Sequence, residues 1–263
     1  MNPRLLAHLS DLHLGRSKAD ADAARRLVDA LLEARVDHAV VTGDLTHRGL
    51  LEEHDLFLEL FAPLARHGRL TVVPGNHDRQ GDDAGQWLTR GQRVWTEARE
   101  GLWLVCVDST APHNRIGFRA HGQLCEETLA AVDLALADAP PGSLTAVLLH
   151  HHPVPLPTEG VGEWLAHQLG WPHASELTLG TALLDLLAGR ADLVLHGHRH
   201  RPRRLVCEHS RPLQVVNAGS STALGACRLF SHADGRLEAA PHWLCAAPAP
   251  GMHRTHELVL APA

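Results

Sequence analysis

The chain has 263 residues, of which 44% are hydrophobic and 21% charged, a composition typical of a folded globular protein and not of a disordered or coiled-coil one. Its net charge of -6 argues against a broad basic surface for duplex nucleic acid. A small anionic substrate stays compatible with this charge, because bound cations can reverse the local sign. Histidine is frequent, with 22 residues against no tyrosine, which suggests metal or proton chemistry without locating it.

The cysteines and the apolar runs indicate the cellular compartment. Five cysteines lie far apart, in an odd number and without a C-x-x-C pair, which predicts reduced thiols and not a disulfide framework. The apolar run over residues 5–9 is too short for the core of a signal peptide, and no run approaches the ~20 residues of a membrane span. We therefore expect a cytoplasmic protein without a membrane-spanning segment.

Short apolar runs alternate with helical patterns along the first three quarters of the chain. Strands are predicted over 5–9, 38–42, 70–73, 102–107, 145–149 and 193–195, and helices around 24–32, 57–64, 123–137 and 183–187. Ser17 or Asp20 can cap the first helix. A β-α repeat of this kind predicts a mainly parallel sheet with helices on both faces.

After residue 203 the helical pattern gives way to short strands. These are predicted over 205–207, 213–216, 226–230, 237–239 and 257–260, and they suggest a second, more antiparallel sheet packed on the first. We therefore predict one domain over residues 1–263. Residues 1–200 form its α/β part, which carries the site, and residues 201–263 form a mainly β part that completes the second sheet.

Nearly every predicted strand of the α/β part ends in residue types that bind metals. The five segments are Ser10-Asp11-Leu12-His13, Gly43-Asp44, Gly75-Asn76-His77-Asp78, His150-His151-His152-Pro153 and His196-Gly197-His198-Arg199-His200. Because ligands of open α/β sheets gather beyond the carboxyl ends of strands, we expect the five segments to converge on one crevice. Gly-Asn-His-Asp is the most specific of them, since it arises in only about one of 600 shuffled chains of this composition.

The order of these motifs, D-x-H, G-D, G-N-H-D, H-x-P and G-H-x-H, resembles that of the calcineurin-like metallophosphoesterases over about three quarters of the chain. The residues around these motifs are most similar to the small bacterial cyclic-nucleotide phosphodiesterase branch, in the segments HLSDLHLG, VVTGDLTHRG, VVPGNHDR and LLHHHP. The serine/threonine phosphatase branch is disfavoured, because Ser10 precedes Asp11 and the second motif lacks its second Asp. The resemblance implies an α/β fold (α+β in some schemes), a four-layer α-β-β-α sandwich of two packed mixed sheets flanked by helices.

The resemblance also implies a set of ligands for two metal ions. Asp11, His13, Asp44 and His200 would hold one ion, and Asp44, Asn76, His151 and His198 the other. The donor chemistry agrees, since a carboxylate can bridge two cations and imidazole and amide groups suit Mn, Fe, Zn or Ni. His151 is chosen as the residue two before Pro153; His150 and His152 stay open as alternatives, because a shift of one residue turns the side chain to the opposite face.

The catalytic roles follow from the same resemblance. Two cations lower the pKa of a shared water, so that a bridging hydroxide is available for in-line attack on phosphorus. His77 would protonate the leaving alkoxide or stabilise charge there, and Asp78 would accept a hydrogen bond from the His77 ring and hold its tautomer. His8 and His196 are expected to be structural.

Residues outside the motifs are candidates for substrate binding. His113 and Arg115, in the loop after the strand 102–107, and Trp164 are predicted substrate contacts. Residues 154–179 form either a lid over the site or a segment whose tryptophans belong to the core. The arginines after His200 either steer an anionic substrate or lie along a solvated strand edge.

The sequence thus predicts a dinuclear metal-dependent phosphoesterase acting on phosphodiesters, with a 3′,5′-cyclic nucleotide as the leading substrate. The alternatives are another ester (a lipid head group, a glycerophosphodiester or a nucleic-acid end) or a catalytically silent metal-binding regulatory module. The expected partner is a small phosphoester. A membrane and nucleic acid are not expected as partners, and a homodimer is left open.

Overall fold

The computed structural model describes residues 3–89, 91–116, 120–154, 177–208 and 210–246. The helices are α1 Lys18–Glu33, α2 Leu51–Ala65, α3 Gly85–Thr89, α4 Glu126–Ala137, α5 Gly180–Leu187 and α6 Ser221–Leu224. The strands are β1 Arg4–Leu9, β2 His38–Thr42, β3 Leu70–Val73, β4 Val94–Arg99, β5 Leu102–Val107, β6 Gly122–Gln123, β7 Leu144–Leu148, β8 Leu177–Thr178, β9 Leu193–His196, β10 Arg203–Cys207, β11 Leu213–Asn217, β12 Ala226–Ala233, β13 Arg236–Leu237 and β14 His242–Cys245. Two 3₁₀ turns cover His77–Arg79 and Pro112–Ile116.

Most of these strands, within the described ranges, form two mixed sheets. In the first sheet the order is β13-β12-β1-β2-β3, with β14 beside β12, and β1, β2 and β3 run parallel. In the second sheet the order is β10-β11-β9-β7-β5-β4, and the four strands β5, β7, β9 and β11 run parallel. Parallel strands place their carboxyl ends, and the loops that follow them, along one edge of each sheet.

Apolar side chains divide the molecule into four layers. Leu6, Val40 and Phe230 of the first sheet pack between the sheets against Leu104 and Leu148 of the second. A second cluster fills the space between the first sheet and helices α1 and α2, and a third fills that between the second sheet and helices α4 and α5. This is the predicted α-β-β-α sandwich, in which each sheet is covered on both faces and its central strands are accordingly mostly apolar.

Helix α1 shows how local sequence sets an element. Ser17 has an extended backbone, and its hydroxyl accepts a hydrogen bond from the Asp20 amide at 3.2 Å, as predicted for the cap. Leu27, Val28 and Leu31 follow at helical spacing and are buried against the first sheet. No helix in the described ranges is long and apolar enough to cross a bilayer.

The last quarter of the chain departs from the prediction that it completes the second sheet. β10 and β11 do extend that sheet, but β12 pairs antiparallel with β1 and brings β13 and β14 to the first sheet. In β12, Leu229 packs toward helices α1 and α2 and Phe230 packs between the sheets, so this strand has the two covered faces of a strand of the first sheet. The antiparallel strands are therefore divided between both sheets. The predicted strand 257–260 lies outside the described residues.

Candidate metal centre

The loops after β1, β2, β3, β7 and β9 meet where the carboxyl ends of the two sheets face each other. In the first sheet, the amide of Asp11 donates to the Gly43 carbonyl at 3.1 Å and that of His13 to the Asp44 carbonyl at 2.9 Å. Across the sheets, the amide of His198 donates to both carboxylate oxygens of Asp11 at 3.1 Å. The predicted convergence of the five motifs is therefore found.

One group of donor atoms, site A, contains the four residues predicted for the first metal: Asp11, His13, Asp44 and His200. The Nε2 atoms of His13 and His200 lie 2.9 Å apart, and His200 Nε2 lies 3.3 Å from Asp11 Oδ1. Asp11, His13 and Asp44 are buried, whereas His200 is partly exposed at the mouth of the site. Site A is therefore accessible to solvent on the His200 side.

A second group, site B, shares Asp44 with site A and adds His150 and His198. Asp44 Oδ2 lies 3.3 Å from His150 Nε2 and 3.8 Å from His13 Nε2, so this one oxygen faces both groups. Asn76 Oδ1 lies 3.0 Å from His198 Nδ1 and 3.1 Å from His150 Nε2. The Asn76 amide oxygen, which needs no deprotonation to bind a metal, therefore lies between the two imidazoles of site B.

His151, the predicted ligand, does not belong to either group, and His150 takes its place. In β7 the buried side chains alternate: Leu148 packs between the sheets and Leu149 toward the helices. His150 Nε2 lies among the donor atoms of site B, whereas the next ring, that of His151, lies 4.8 Å from the His198 ring and belongs to neither group of donor atoms. His151 Nδ1 instead lies 2.9 Å from the Ser109 hydroxyl.

The spacing of the donor atoms fits metal ions. Donors held at about 2.1 Å from an ion lie about 3.0 Å apart in octahedral and about 3.4 Å apart in tetrahedral geometry. The contacts of 2.9 and 3.3 Å in site A and of 3.0 to 3.3 Å in site B fall in this range. Two nitrogens and two oxygens in each group form a mixed donor set that suits first-row transition metals.

Backbone strain is concentrated in the same residues. Of the nine non-glycine residues with positive φ in the described chain, five are Asp11, His13, Asp44, His198 and His200. Such conformations are rare outside glycine and persist only where the surroundings fix them. Two glycines leave space for the carboxylates: a Cβ at Gly75 would collide with Asp44 Oδ1, and one at Gly197 with Asp11 Oδ2.

Electrostatics favour cations at this position. Burial opposes the ionisation of Asp44, but the neighbouring His150, together with His77 and His13, holds the pKa of Asp44 well below its ordinary value. Burial likewise disfavours the charged form of His150, yet the Asp44 carboxylate prevails and raises the pKa of His150 to about 9. Positive charge therefore stabilises the buried carboxylates. Bound cations would supply that charge in place of the proton on His150.

His77 lies beside site A. The hydrogen bond that the sequence predicts between Asp78 and the His77 ring is not formed. His77 Nδ1 donates to the His47 carbonyl at 2.7 Å, and the His77 ring lies edge-on to His13 with 4.7 Å between centroids. The buried Asp78 carboxylate instead accepts from the amides of Leu45, Thr46 and Gly75 and from the Thr46 hydroxyl. Asp78 therefore joins the loops after β2 and β3 and acts on the backbone, because its side chain turns under the loop while His77 turns outward.

The remaining predicted residues have varied positions. Arg115 pairs with Asp83 at 3.5 Å, and His113 Nε2 lies 3.1 Å from the His121 carbonyl, on a turn that packs against His77–Arg79. Trp164 and the segment 155–176 lie outside the described residues. His8 and His196 are buried, as expected for structural histidines; burial, reinforced by Arg228, lowers the pKa of His8 to about 3.

Two polar segments near the site were missed by sequence reasoning. Ser109, after β5, bonds through its hydroxyl to the backbone amides of His150 and His151 at 3.3 and 3.2 Å. Residues 217–222, after β11, bond to the loops carrying Asp11 and His198. Both follow predicted strands, so the strand-end rule would have found them if hydroxyl groups had been weighed with metal-binding ones.

Comparison with known proteins decides the family. The model of the calcineurin-like phosphoesterase family matches residues 5–202, which include every ligand described above. The chain belongs to the calcineurin-like phosphoesterases. It is an enzyme that hydrolyses phosphate esters.

Individual known proteins resemble the chain to different extents. The 3′,5′-cyclic adenosine monophosphate phosphodiesterase CpdA of Pseudomonas aeruginosa is 31% identical over 259 residues, covering 89% of this chain and 88% of that protein. The glycerophosphodiester phosphodiesterase GpdQ of Enterobacter lignolyticus is 27% identical over 171 residues, 58% of each chain. A dimetal phosphatase from Danio rerio shares the fold, with a TM-score of 0.61 at 13% identity over 94% of this chain and 100% of that one.

Proposed function

We propose that this calcineurin-like phosphoesterase is a dinuclear enzyme that hydrolyses phosphodiesters, with 3′,5′-cyclic nucleotides as its substrates. The observation that carries the proposal is Asp44, whose Oδ2 faces the donor atoms of site A and site B together. Asp11, His13, Asp44 and His200 would hold one ion, and Asp44, Asn76, His150 and His198 the other. Their nitrogen and oxygen donors suit Mn, Fe, Zn or Ni.

The bound ions would neutralise the phosphoryl oxygens and supply a nucleophilic water at neutral pH. The chain itself fixes the orientation of the groups around them. His150 Nδ1 donates to the Thr42 carbonyl at 2.7 Å, which leaves Nε2 to face site B. His77 is held in the same way by the His47 carbonyl, so that its Nε2 is free to donate a proton to the leaving alkoxide.

Two observations support cyclic nucleotides over other diesters. The relative named a cyclic adenosine monophosphate phosphodiesterase is similar over most of both chains, whereas the glycerophosphodiester phosphodiesterase is similar over little more than half. Glycerophosphodiesters are the second candidate because the same donor atoms would serve both reactions. A cytoplasmic location is consistent with a cyclic nucleotide as substrate.

A substrate panel tests the proposal directly. The metal-free protein is reconstituted with Mn²⁺ and assayed on 3′,5′-cyclic AMP, 3′,5′-cyclic GMP, glycerophosphocholine, AMP and bis(p-nitrophenyl) phosphate. We expect two ions per chain, turnover of the generic diester, and a higher kcat/KM for a cyclic nucleotide than for glycerophosphocholine or AMP. Higher kcat/KM for glycerophosphocholine would establish the second candidate, and two bound ions without turnover of any ester would overturn the hydrolytic mechanism.

A further inference from the structure

Residues 217–222, directly after β11, contact both loops that carry Asp11 and His198. The side chains of Asn217, Ser220, Ser221 and Thr222 are buried, and none belongs to the proposed ligand set. Buried hydroxyl and amide groups need hydrogen-bond partners, and the partners of these four are backbone groups of the ligand loops or of the segment itself and, for Asn217, also the His196 ring.

The loop after β1 is bonded at three successive residues. Ser220 Oγ donates to the Asp11 carbonyl at 2.9 Å, and Thr222 Oγ1 donates to the Leu12 carbonyl at 3.1 Å. The amide of Ser10 donates to Ser221 Oγ at 3.0 Å, and the amide of Ser221 donates to the Ser10 carbonyl at 2.9 Å. The peptide units on both sides of Asp11 are therefore fixed by this segment.

The loop after β9 is bonded by the same segment. Asn217 Nδ2 donates to the Gly197 carbonyl at 2.7 Å, and Asn217 Oδ1 accepts from the Gly219 amide at 2.8 Å. Gly197 directly precedes His198, whose amide reaches Asp11. Asn217 thus orients the peptide unit that joins the two ligand loops.

These hydrogen bonds act where the backbone is strained. Asp11 and His13 have φ values of 54° and 48°, and His200 has 53°. A loop whose residues have positive φ relaxes toward negative φ unless its peptide groups are held by hydrogen bonds. Such relaxation would move the carboxylate and imidazole donors apart. In site B, His150 is held by the Thr42 carbonyl, and the peptide unit before His198, whose φ is 76°, is held by Asn217 and not by a hydroxyl group of the segment.

We propose that Ser220, Ser221 and Thr222, the hydroxyl residues of this segment, are positioning residues for site A. Their hydroxyl groups hold the backbone of Asp11 and Leu12 in the strained, metal-binding conformation and so set the affinity of site A, with a smaller effect on site B. This proposal rests on the dinuclear function proposed above.

The test is a metal titration of the metal-free protein, followed by the visible absorption of bound Co²⁺ and by equilibrium dialysis with Mn²⁺. The variants are Ser220→Ala and Thr222→Val, with Ser220→Thr as the conservative form that keeps the hydroxyl. We expect one dissociation constant to rise about tenfold to a hundredfold in the first two variants, as is typical for residues that orient ligands, and the other to change much less. Ser220→Thr should restore the tighter binding.

Thr128→Val is the matched control, because it also removes a buried hydroxyl, one that contacts only the Cys125 sulfur in the helix layer of the second sheet. Thermal unfolding of the metal-free proteins measures the loss of stability that is common to all these variants. If the metal affinities of Ser220→Ala and Thr222→Val change no more than that of Thr128→Val, the positioning role is wrong. Two ions bound by the wild type without any hydrolysis would overturn only the proposed function, and failure of the wild type to bind metal would overturn both.

Discussion

At the scale of single residues, the run of three histidines shows what a motif leaves undetermined. His150, His151 and His152 are chemically identical, so composition and spacing cannot choose among them. The choice depends on which face of β7 lies between the sheets, and both faces are equally apolar in sequence. Only the packing of the second sheet against the first assigns His150 to site B.

This assignment predicts different effects for two neighbouring substitutions. His150→Ala should remove one ion per chain and lower kcat at least 100-fold, since a ligand of site B is lost. His151→Ala should keep both ions, because His151 belongs to neither group of donor atoms and its Nδ1 bonds to the Ser109 hydroxyl. Metal content after dialysis and kcat for bis(p-nitrophenyl) phosphate measure both effects, and the opposite order of the two variants would restore the sequence-based choice.

The role of His77 leads to a second prediction at this scale. His77→Ala should bind both ions and lose ~10²–10⁴-fold in kcat for substrates with poorly leaving alkoxides, because a positioned proton donor contributes about that much. For p-nitrophenyl esters, whose leaving group needs little protonation, the loss should be much smaller. A plot of log kcat against leaving-group pKa measures this. Equal losses along the series would contradict proton donation and favour a role in charge stabilisation.

At the scale of elements, the strands with continuous apolar runs follow from the sequence, and the strands with interrupted runs do not. The predicted bounds of β2, β3 and β5 agree with the structure, because buried strands of a covered sheet are continuous apolar runs ended by turn residues. β4 and β14 were not predicted. They lie at sheet margins, where polar side chains interrupt the pattern and pairing with β5 or β12 determines the conformation.

The Asp78 carboxylate is the element-scale contact that joins the loops after β2 and β3. Because it accepts four hydrogen bonds in a buried position, Asp78→Ala should lower the free energy of unfolding by at least about 2 kcal/mol, measured by urea denaturation of the metal-free protein. Asp82→Ala is the control: Asp82 accepts from the exposed Leu51 amide, and its loss should cost well under about 1 kcal/mol. Equal losses would show that Asp78 does not stabilise the loops.

At the scale of the whole molecule, the α-β-β-α sandwich accounts for histidines that take no part in metal binding or catalysis. The frequency of histidine suggested metal binding, yet His8, His38 and His196 are buried polar residues of the strands, hydrogen-bonded within the sheets. Their burial has a thermodynamic consequence. Burial, reinforced by Arg99 and Arg69, lowers the pKa of His38 to about 3, so the folded chain keeps this imidazole neutral where the unfolded chain would protonate it.

The sign of the resulting pH dependence follows from proton linkage. Between the ordinary histidine pKa of 6.5 and about 3, the unfolded state binds a proton at His38 that the folded state does not, so stability falls as the pH falls. His38 should contribute a slope approaching about 1.4 kcal/mol per pH unit below 6.5. Urea denaturation of metal-free wild type and His38→Gln from pH 7 to pH 4 measures it: the variant, less stable at pH 7, should lose less stability on acidification. The control is His67→Gln, which alters an exposed loop residue, and its plot of stability against pH should run parallel to that of the wild type. If the plot for His38→Gln also runs parallel to that of the wild type, His38 is not buried in its neutral form.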